Sequence, residues 1–226
     1  MCGRFTLRDP RRVKFDRQPI GELFKVVPRF NIAPSQDVLG ITSRDGEPDV
    51  SFYQWGLVPA WSREPKGFIN ARAETLQDKA SFSESFQRRR CLIPADGFYE
   101  WKRSGKSKQP YYFQLRDEAT FAFAGIWDRW QGNGRSILSC AIITTTPNEL
   151  LASVHDRMPV ILDQSSHRDW LNEEARPAQL TALLAPFPAK AMKGYTVSDE
   201  VNHASIDHEH LVEPCEAKPI LQPTLF

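Results

Sequence analysis

No stretch of about 18 consecutive apolar residues occurs in this chain, and it has no apolar core of a secretory signal, so the expectation is a soluble protein of the cytosol or nucleus with no membrane partner. Charge of one sign is not in excess. The 29 Lys and Arg against 28 Asp and Glu leave +1, so global charge selects no partner, although local charge still can. Cysteine is scarce and scattered, at Cys2, Cys91, Cys140 and Cys215, with no C-x-x-C pair. Cys91 in "RCLIPA" and Cys140 in "ILSCAIITTT" lie in apolar runs and are read as reduced core thiols. Walker A, Rossmann and G-x-S-x-G glycine signatures are all missing. There is no internal repeat and no low-complexity block. The late "HASIDHEH" gathers His203, His208 and His210 near Asp207 and Glu209, but no cysteine stands at ligand spacing. No metal and no cofactor are therefore expected.

What is present is proline, 17 residues of it, which favours many short elements over long helices. A chain of 226 residues can bury a core without disulfide staples and is read as a single domain over 1–226, with about 205–226 a loosely attached tail. "DVLGITSR" (37–44) and "DVSFYQWGLV" (49–58) flank a "DGEP" turn and predict a hairpin. Residues 91–116 read as two strands around the basic loop "RSGKSKQ". Residues 120–130 and 136–146 read as two more, across "QGNG". Helices are predicted over 79–90, where Phe82 and Phe86 share a face, and over 146–154, 163–174 and 177–187. Strands dominate and no regular βαβ alternation appears. The fold class is α+β, mostly antiparallel, with a barrel-like β core and short helices around it.

Six separate stretches carry polar or reactive residues beside aromatics, glycine or proline. They are "MCGRF", "FNIAPSQ", "WGLVPAW", "FINARAET", "DGFYEW" and "HDRMPV". Sites are often assembled this way from loops and strand ends. Methionine aminopeptidase removes Met1 when the next residue is as small as cysteine. The product at Cys2 is a 1,2-aminothiol, with an amine of reference pKa about 7.7–8 and a thiol near 8.5. Its sulfur can attack an acyl group, or its amine can condense with an aldehyde and the sulfur close the ring. The competing reading is a start-site cysteine with no role. Alternation puts Glu100 opposite Tyr99 and Trp101, facing either solvent or a pocket; partial burial would suit it to proton transfer. His155 stands beside Asp156 and Arg157 in a turn that could orient its ring, or is simply exposed. Asn70 and Arg72 share a strand face that Glu74 continues, either a polar outer face or a phosphate-matching one. Arg4 lies on the same side as Cys2 if the start is extended. Trp55, Trp61, Phe68, Tyr99 and Trp101 keep company with Arg4, Arg72, Arg88, Arg89, Arg90 and Lys102. Such interleaving suits single-stranded nucleic acid, or equally a core beside a solvated basic face.

Taken together these stretches resemble the SRAP family, the SOS response-associated peptidase or abasic-site processing proteins. The matches run in order through nearly the whole chain: "MCGRF", "FNIAPSQ", "WGLVPAW", "INARAET", "RRRCLIPADGFYEWK", "QPYYF", "FAGIWD", "AIITTTPN", "VHDRMPVIL" and "VSDEVNH". The resemblance implies that Cys2, freed of Met1, links to the ring-opened aldehyde of an abasic site in single-stranded DNA as a thiazolidine that shields the lesion. It implies lyase and self-processing peptidase activities as well. Glu100 would move protons, His155 would be a second proton-transfer or sugar-orienting group, and Asn70 would hold the terminus and lesion. Arg4, Arg72 and Arg157 would grip phosphates, and Trp61 with Pro34 would wedge against bases. The implied protein is a monomeric, cytoplasmic bacterial one, at the nucleoid when acting on DNA. The region before "FNIAPSQ" and the tail are less constrained. Two rivals stay open: an N-terminal-nucleophile amidohydrolase of the glutamine amidotransferase kind, against which no Gly-Asn-Gly counterpart follows "MCG", and a noncovalent single-strand binding module.

Overall fold

The computed structural model describes residues 2–23, 25–105 and 107–217. In order its elements are β1 (Arg4–Leu7), β2 (Lys14–Phe15), β3 (Gln18–Pro19), β4 (Arg29–Ile32), β5 (Asp37–Arg44), β6 (Glu47–Trp55) and β7 (Asn70–Arg72). Then come α1 (Ser83–Arg88), β8 (Arg90–Ala95), β9 (Gly97–Ser104), β10 (Ser107–Leu115), β11 (Phe121–Gly132) and β12 (Arg135–Thr145). The rest are α2 (Glu149–Ala152), β13 (Met158–Pro159), β14 (Ile161–Leu162), α3 (His167–Leu171), α4 (Pro177–Ala182) and β15 (Met192–Thr196).

Strands β12, β6, β5, β8 and β11 are neighbours in that order, and β11 pairs back onto β12, which closes the barrel. Only the contacts of β12 with β6 and β7 are parallel in this sheet; the rest are antiparallel. A second, antiparallel sheet runs β15–β10–β9–β1–β4. The expected α+β architecture with a barrel-like, mostly antiparallel core is thus what the chain adopts. Aromatic edges join the two sheets. Phe5 of β1 meets Trp55 of β6 at 5.2 Å and Phe123 of β11 at 5.6 Å, and Phe98 of β9 meets Phe123 at 6.0 Å. Such edge-to-face pairs add to the apolar area that they bury.

The outer face of the second sheet is covered too. Tyr99 and Tyr112 pack there with Val197, Val201 and Leu211. Asn31 Nδ2 donates to the carbonyls of His203 and Ile206 at 3.0 and 2.8 Å, and the Asp207 carboxylate accepts from the Phe30 and Asn31 amides and pairs with Arg29. Of the stretch expected to hang loosely, Ile206, Leu211 and Val212 pack against this sheet and residues 213–217 are exposed; 218–226 lie outside the described residues.

Local differences from the sequence reading have physical causes. The hairpin of β5 and β6 pairs Asp37 with Gln54 through to Arg44 with Glu47. The expected single strand entering the basic loop is instead two, β8 and β9, in different sheets. The break is Asp96, whose buried carboxylate accepts from Thr6 Oγ1 and from the Arg8 amide, both at 2.6 Å. All four helices are shorter than predicted. Helix α2 begins at an Asn148 cap, whose Oδ1 accepts from Leu151 N at 3.0 Å, rather than at Thr146. The 163–174 prediction divides into a turn capped by Asp163 and then α3. Cys91 and Cys140 are fully buried free thiols, as read.

Candidate active site

Strand β1 delivers the amino terminus. Its antiparallel pairing with β9, Arg4 opposite Tyr99, carries the preceding residues alongside Glu100 and Trp101. Cys2 is fully buried there, and its thiol makes a weak 3.8 Å contact with the Arg4 carbonyl. Asn70 heads β7, which runs parallel to β12 with Asn70 opposite Ile142. Its Nδ2 donates to the Cys2 carbonyl at 2.9 Å, so residue 2 is held from both sides. Behind it the Trp55 indole donates to the Ile69 carbonyl at 2.8 Å and fixes the entry to β7.

Glu100 is 1% exposed. Its strand is covered on one face by the barrel and on the other by the C-terminal segment. Tyr99 and Trp101 take the outer side, where Tyr99 OH donates to the Phe30 carbonyl and Trp101 Nε1 to Asn202 Oδ1. Glu100 takes the inner side and is buried rather than facing solvent. Burial, the largest cause, raises its pKa to about 7. Burial is also the main reason that the Cys2 thiol lies far above its ordinary pKa, and the nearby Glu100 charge adds to it. His155 Nε2 lies 4.0 Å from Glu100 Oε2. On the other side of the ring, Nδ1 is 3.0 Å from the Arg157 amide and 2.9 Å from Asp156 Oδ1. Burial lowers the His155 pKa, against the opposing pull of Asp156. The half-buried ring is therefore read as neutral, with Nδ1 accepting from the Arg157 amide.

Cys2, Asn70, Glu100 and His155, spread over 154 positions of sequence, are thus brought to one place. A carboxyl group of pKa about 7 beside an imidazole can both give and take a proton at neutral pH. The thiol beside it is a poor nucleophile until a base removes its proton. Among the described residues no group of three or more His, Cys, Asp or Glu is placed to hold a metal ion.

The outer candidates divide. Arg4 is half-buried with Nη1 on the Gly3 carbonyl at 2.9 Å, and burial lowers its pKa. Arg72 is exposed and Pro34 half-buried. Trp61 is 63% exposed on a turn closed by Ser62 N to Pro59 O. Phe68 is 44% exposed and meets Phe82 edge-on at 5.4 Å. Arg157 is occupied by a two-bond pairing with Glu74. Trp55 and Tyr99 are fully buried and so are core aromatics rather than surfaces for stacking on bases. Arg90 is 4% exposed, its guanidinium spent on the carbonyls of Trp170, Phe86, Gln87 and Asn172, so it too leaves the basic face. Sequence reasoning missed the support given by Trp55 and the partner of Arg157. The reading that Glu74 continues the strand face of Asn70 and Arg72 fails because β7 ends at Arg72 and Ala73–Thr75 form a 3-10 turn, on which Glu74 pairs with Arg157.

Comparison with known proteins shows which family the chain belongs to. The chain is 42% identical over 225 residues to the abasic site processing protein YoqW of Bacillus subtilis, covering 94% of this chain and 99% of that one. It is 40% identical over 222 residues to YoaM of the same organism, covering 94% and 98%. A crystal structure of a Bacteroides thetaiotaomicron protein superposes with a TM-score of 0.83 at 28% identity, covering 95% of this chain and all of that one. The family model described as SOS response associated peptidase (SRAP) matches residues 1–204, and the chain belongs to that family.

Proposed function

We propose that this chain processes abasic sites in single-stranded DNA by capturing the ring-opened sugar covalently at Cys2 once Met1 has been removed. The observation that carries the reading is the convergence of three distant segments around residue 2: Asn70 on its carbonyl, Glu100 beside its thiol, and His155 against Glu100. The names of the Bacillus relatives, abasic site processing proteins, support the same substrate.

The chemistry balances on those groups. The Cys2 amine adds to the C1′ aldehyde, and the carbinolamine loses its hydroxyl as water with a proton from the Glu100 carboxyl. The carboxylate that remains takes the thiol proton as sulfur adds to the iminium carbon, and the ring nitrogen keeps the one hydrogen left from the amine. One water leaves and a thiazolidine ring closes. A Glu100 pKa of about 7 lets one group serve both steps at neutral pH. If the thiol is absent the imine persists, and β-elimination of the 3′ phosphate becomes the competing lyase outcome. Trp61 and Pro34 meet bases, and Arg4 and Arg72 meet phosphates. Arg157 joins them only by exchanging its Glu74 partner.

The test is a denaturing gel of the protein mixed with a single-stranded oligonucleotide holding one abasic site. A heat-stable shifted band that needs Cys2 supports the reading, and Cys2→Ala keeps at most strand cleavage through its new terminal amine. Heat-stable crosslinks from Cys2→Ala would exclude the thiazolidine. Glutaminase activity would support the amidohydrolase instead, and native-gel binding without a band would support a noncovalent module.

A further inference from the structure

The loop that carries His155 is held from outside the pocket. Arg157, two residues on, places its guanidinium on Glu74 through Nη1 to Oε1 at 2.7 Å and Nη2 to Oε2 at 2.9 Å. Nη2 also donates to the Thr144 carbonyl at the end of β12. Two parallel bonds fix the plane of a guanidinium as well as its position. The pairing holds the Glu74 carboxyl below its ordinary pKa, and only 12% of the Arg157 side chain remains exposed. The backbone of this pinned residue meets the imidazole, with Arg157 N–H donating to His155 Nδ1 at 3.0 Å.

A second group competes for that nitrogen. Asp156 Oδ1 lies 2.9 Å from Nδ1. The two neighbours require opposite tautomers. An amide N–H only donates, so it needs a lone pair on Nδ1 and leaves the ring proton on Nε2, the atom 4.0 Å from Glu100. A carboxylate only accepts, so it draws the proton to Nδ1 and leaves a lone pair facing Glu100. Asp156 has 89% of its side chain exposed and is free to swing, whereas Arg157 is tied at both ends.

We propose that Glu74 is a positioning residue: by clamping Arg157 it aims the residue-157 amide at His155 and selects the Nε2–H tautomer over the one that Asp156 favours. Glu74 acts only through Arg157. The effect on reaction rate rests on the DNA-capture reading, whereas the choice of tautomer belongs to the protein without DNA. Arg157 then has a duty inside the protein that is separate from any phosphate contact.

The experiment is 15N NMR of the histidine side chains in DNA-free protein at neutral pH, where the two ring nitrogens report which one carries the proton. Wild type is expected to show Nε2–H at His155. Glu74→Gln keeps the shape but loses the charge, and is expected to bring in a substantial Nδ1–H population. Adding Asp156→Ala to Glu74→Gln removes the competing acceptor and is expected to restore Nε2–H, which loss of packing alone would not do. Arg157→Lys keeps a charge but cannot form the fork, and serves as the second probe if Glu74→Gln folds poorly. In the gel assay the crosslinking rate of Glu74→Gln is expected to fall by about 10- to 100-fold and to recover in the double variant. An Nδ1–H tautomer in wild type, or unchanged Nε2–H in both Glu74→Gln and Arg157→Lys, overturns the proposal. A tautomer shift as described in a protein that never crosslinks DNA would uphold the positioning role and sink the DNA-capture reading.

Discussion

Glu100 shows how one buried residue ties activity to stability. Its folded pKa of about 7 stands above the ordinary 4.5. Below about pH 4.5 the carboxyl is protonated whether the chain is folded or not, and burial adds no pH-dependent cost. Between there and pH 7 the unfolded chain loses the proton first, so stability falls as pH rises. Above pH 7 the whole penalty applies, about 3–4 kcal/mol. Glu100→Gln is therefore expected to be more stable than wild type at pH 8 by about that amount, and to show little or none of this gain at pH 4, in urea denaturation at the two pH values. The same variant should lose crosslinking by roughly 100-fold or more, since the proton carrier is gone. A gain at pH 4 as large as at pH 8 would argue against a raised pKa. Trp61 is the opposite kind of residue. With its ring 63% exposed, Trp61→Ala should leave the melting temperature nearly unchanged and weaken single-stranded DNA binding by about 1–3 kcal/mol, read by fluorescence anisotropy.

At the scale of elements, β1 decides whether Cys2 arrives. A strand has a period of two, so a slip of one residue against β9 would turn Cys2 away from Glu100. The register is locked by Asp96 between β8 and β9. Its carboxylate accepts from Thr6 Oγ1, the Arg8 amide and Arg8 Nε, the last at 3.2 Å, and Thr6 Oγ1 lies 2.8 Å from Tyr112 OH. Asp96→Ala removes the acceptor from several buried donors and should cost about 3–5 kcal/mol in chemical denaturation. Asp96→Asn, which keeps one acceptor oxygen, should cost less. If β1 is the element affected, crosslinking will fall in Asp96→Asn more than Trp61→Ala changes it at saturating DNA. Equal rates would show that the lock serves stability alone.

For the whole molecule, the second sheet is useful because both of its faces are covered. The barrel supplies one cover, with Trp55 and Phe123 packing on Phe5 and Phe98, and the C-terminal segment supplies the other through Val197, Val201 and Leu211. The outer cover adds little core volume, yet it keeps water from the back of the strand that holds Glu100. Leu211→Ala should cost about 2–5 kcal/mol and open the 199–213 segment to limited proteolysis before the barrel is cut. As the cover loosens and water reaches the strand, the Glu100 pKa should drift down towards its ordinary value, so the pH optimum of crosslinking should move to lower pH. An unchanged optimum in a proteolytically opened variant would assign the outer cover no part in the site.

Much of this was legible in local pattern. Strand alternation set Glu100 opposite Tyr99 and Trp101, and the "DGEP" turn placed the β5–β6 hairpin, because each depends on residues a few positions apart; the helix expected to carry Phe82 and Phe86 on one face starts only at Ser83, so Phe82 caps it instead. Four of the short stretches also held Cys2, Asn70, Glu100 and His155, which the fold brings together. Tertiary structure alone decided the rest. That Glu100 is buried while Tyr99 packs on the other face of β9, under a cover contributed about 100 residues later, depended on how both faces of the strand were covered. The break at Asp96 depended on partners about 90 positions away, and Arg157 found its partner 83 positions upstream. Burial and ion pairing are properties of neighbours in space, and no period in the sequence encodes them.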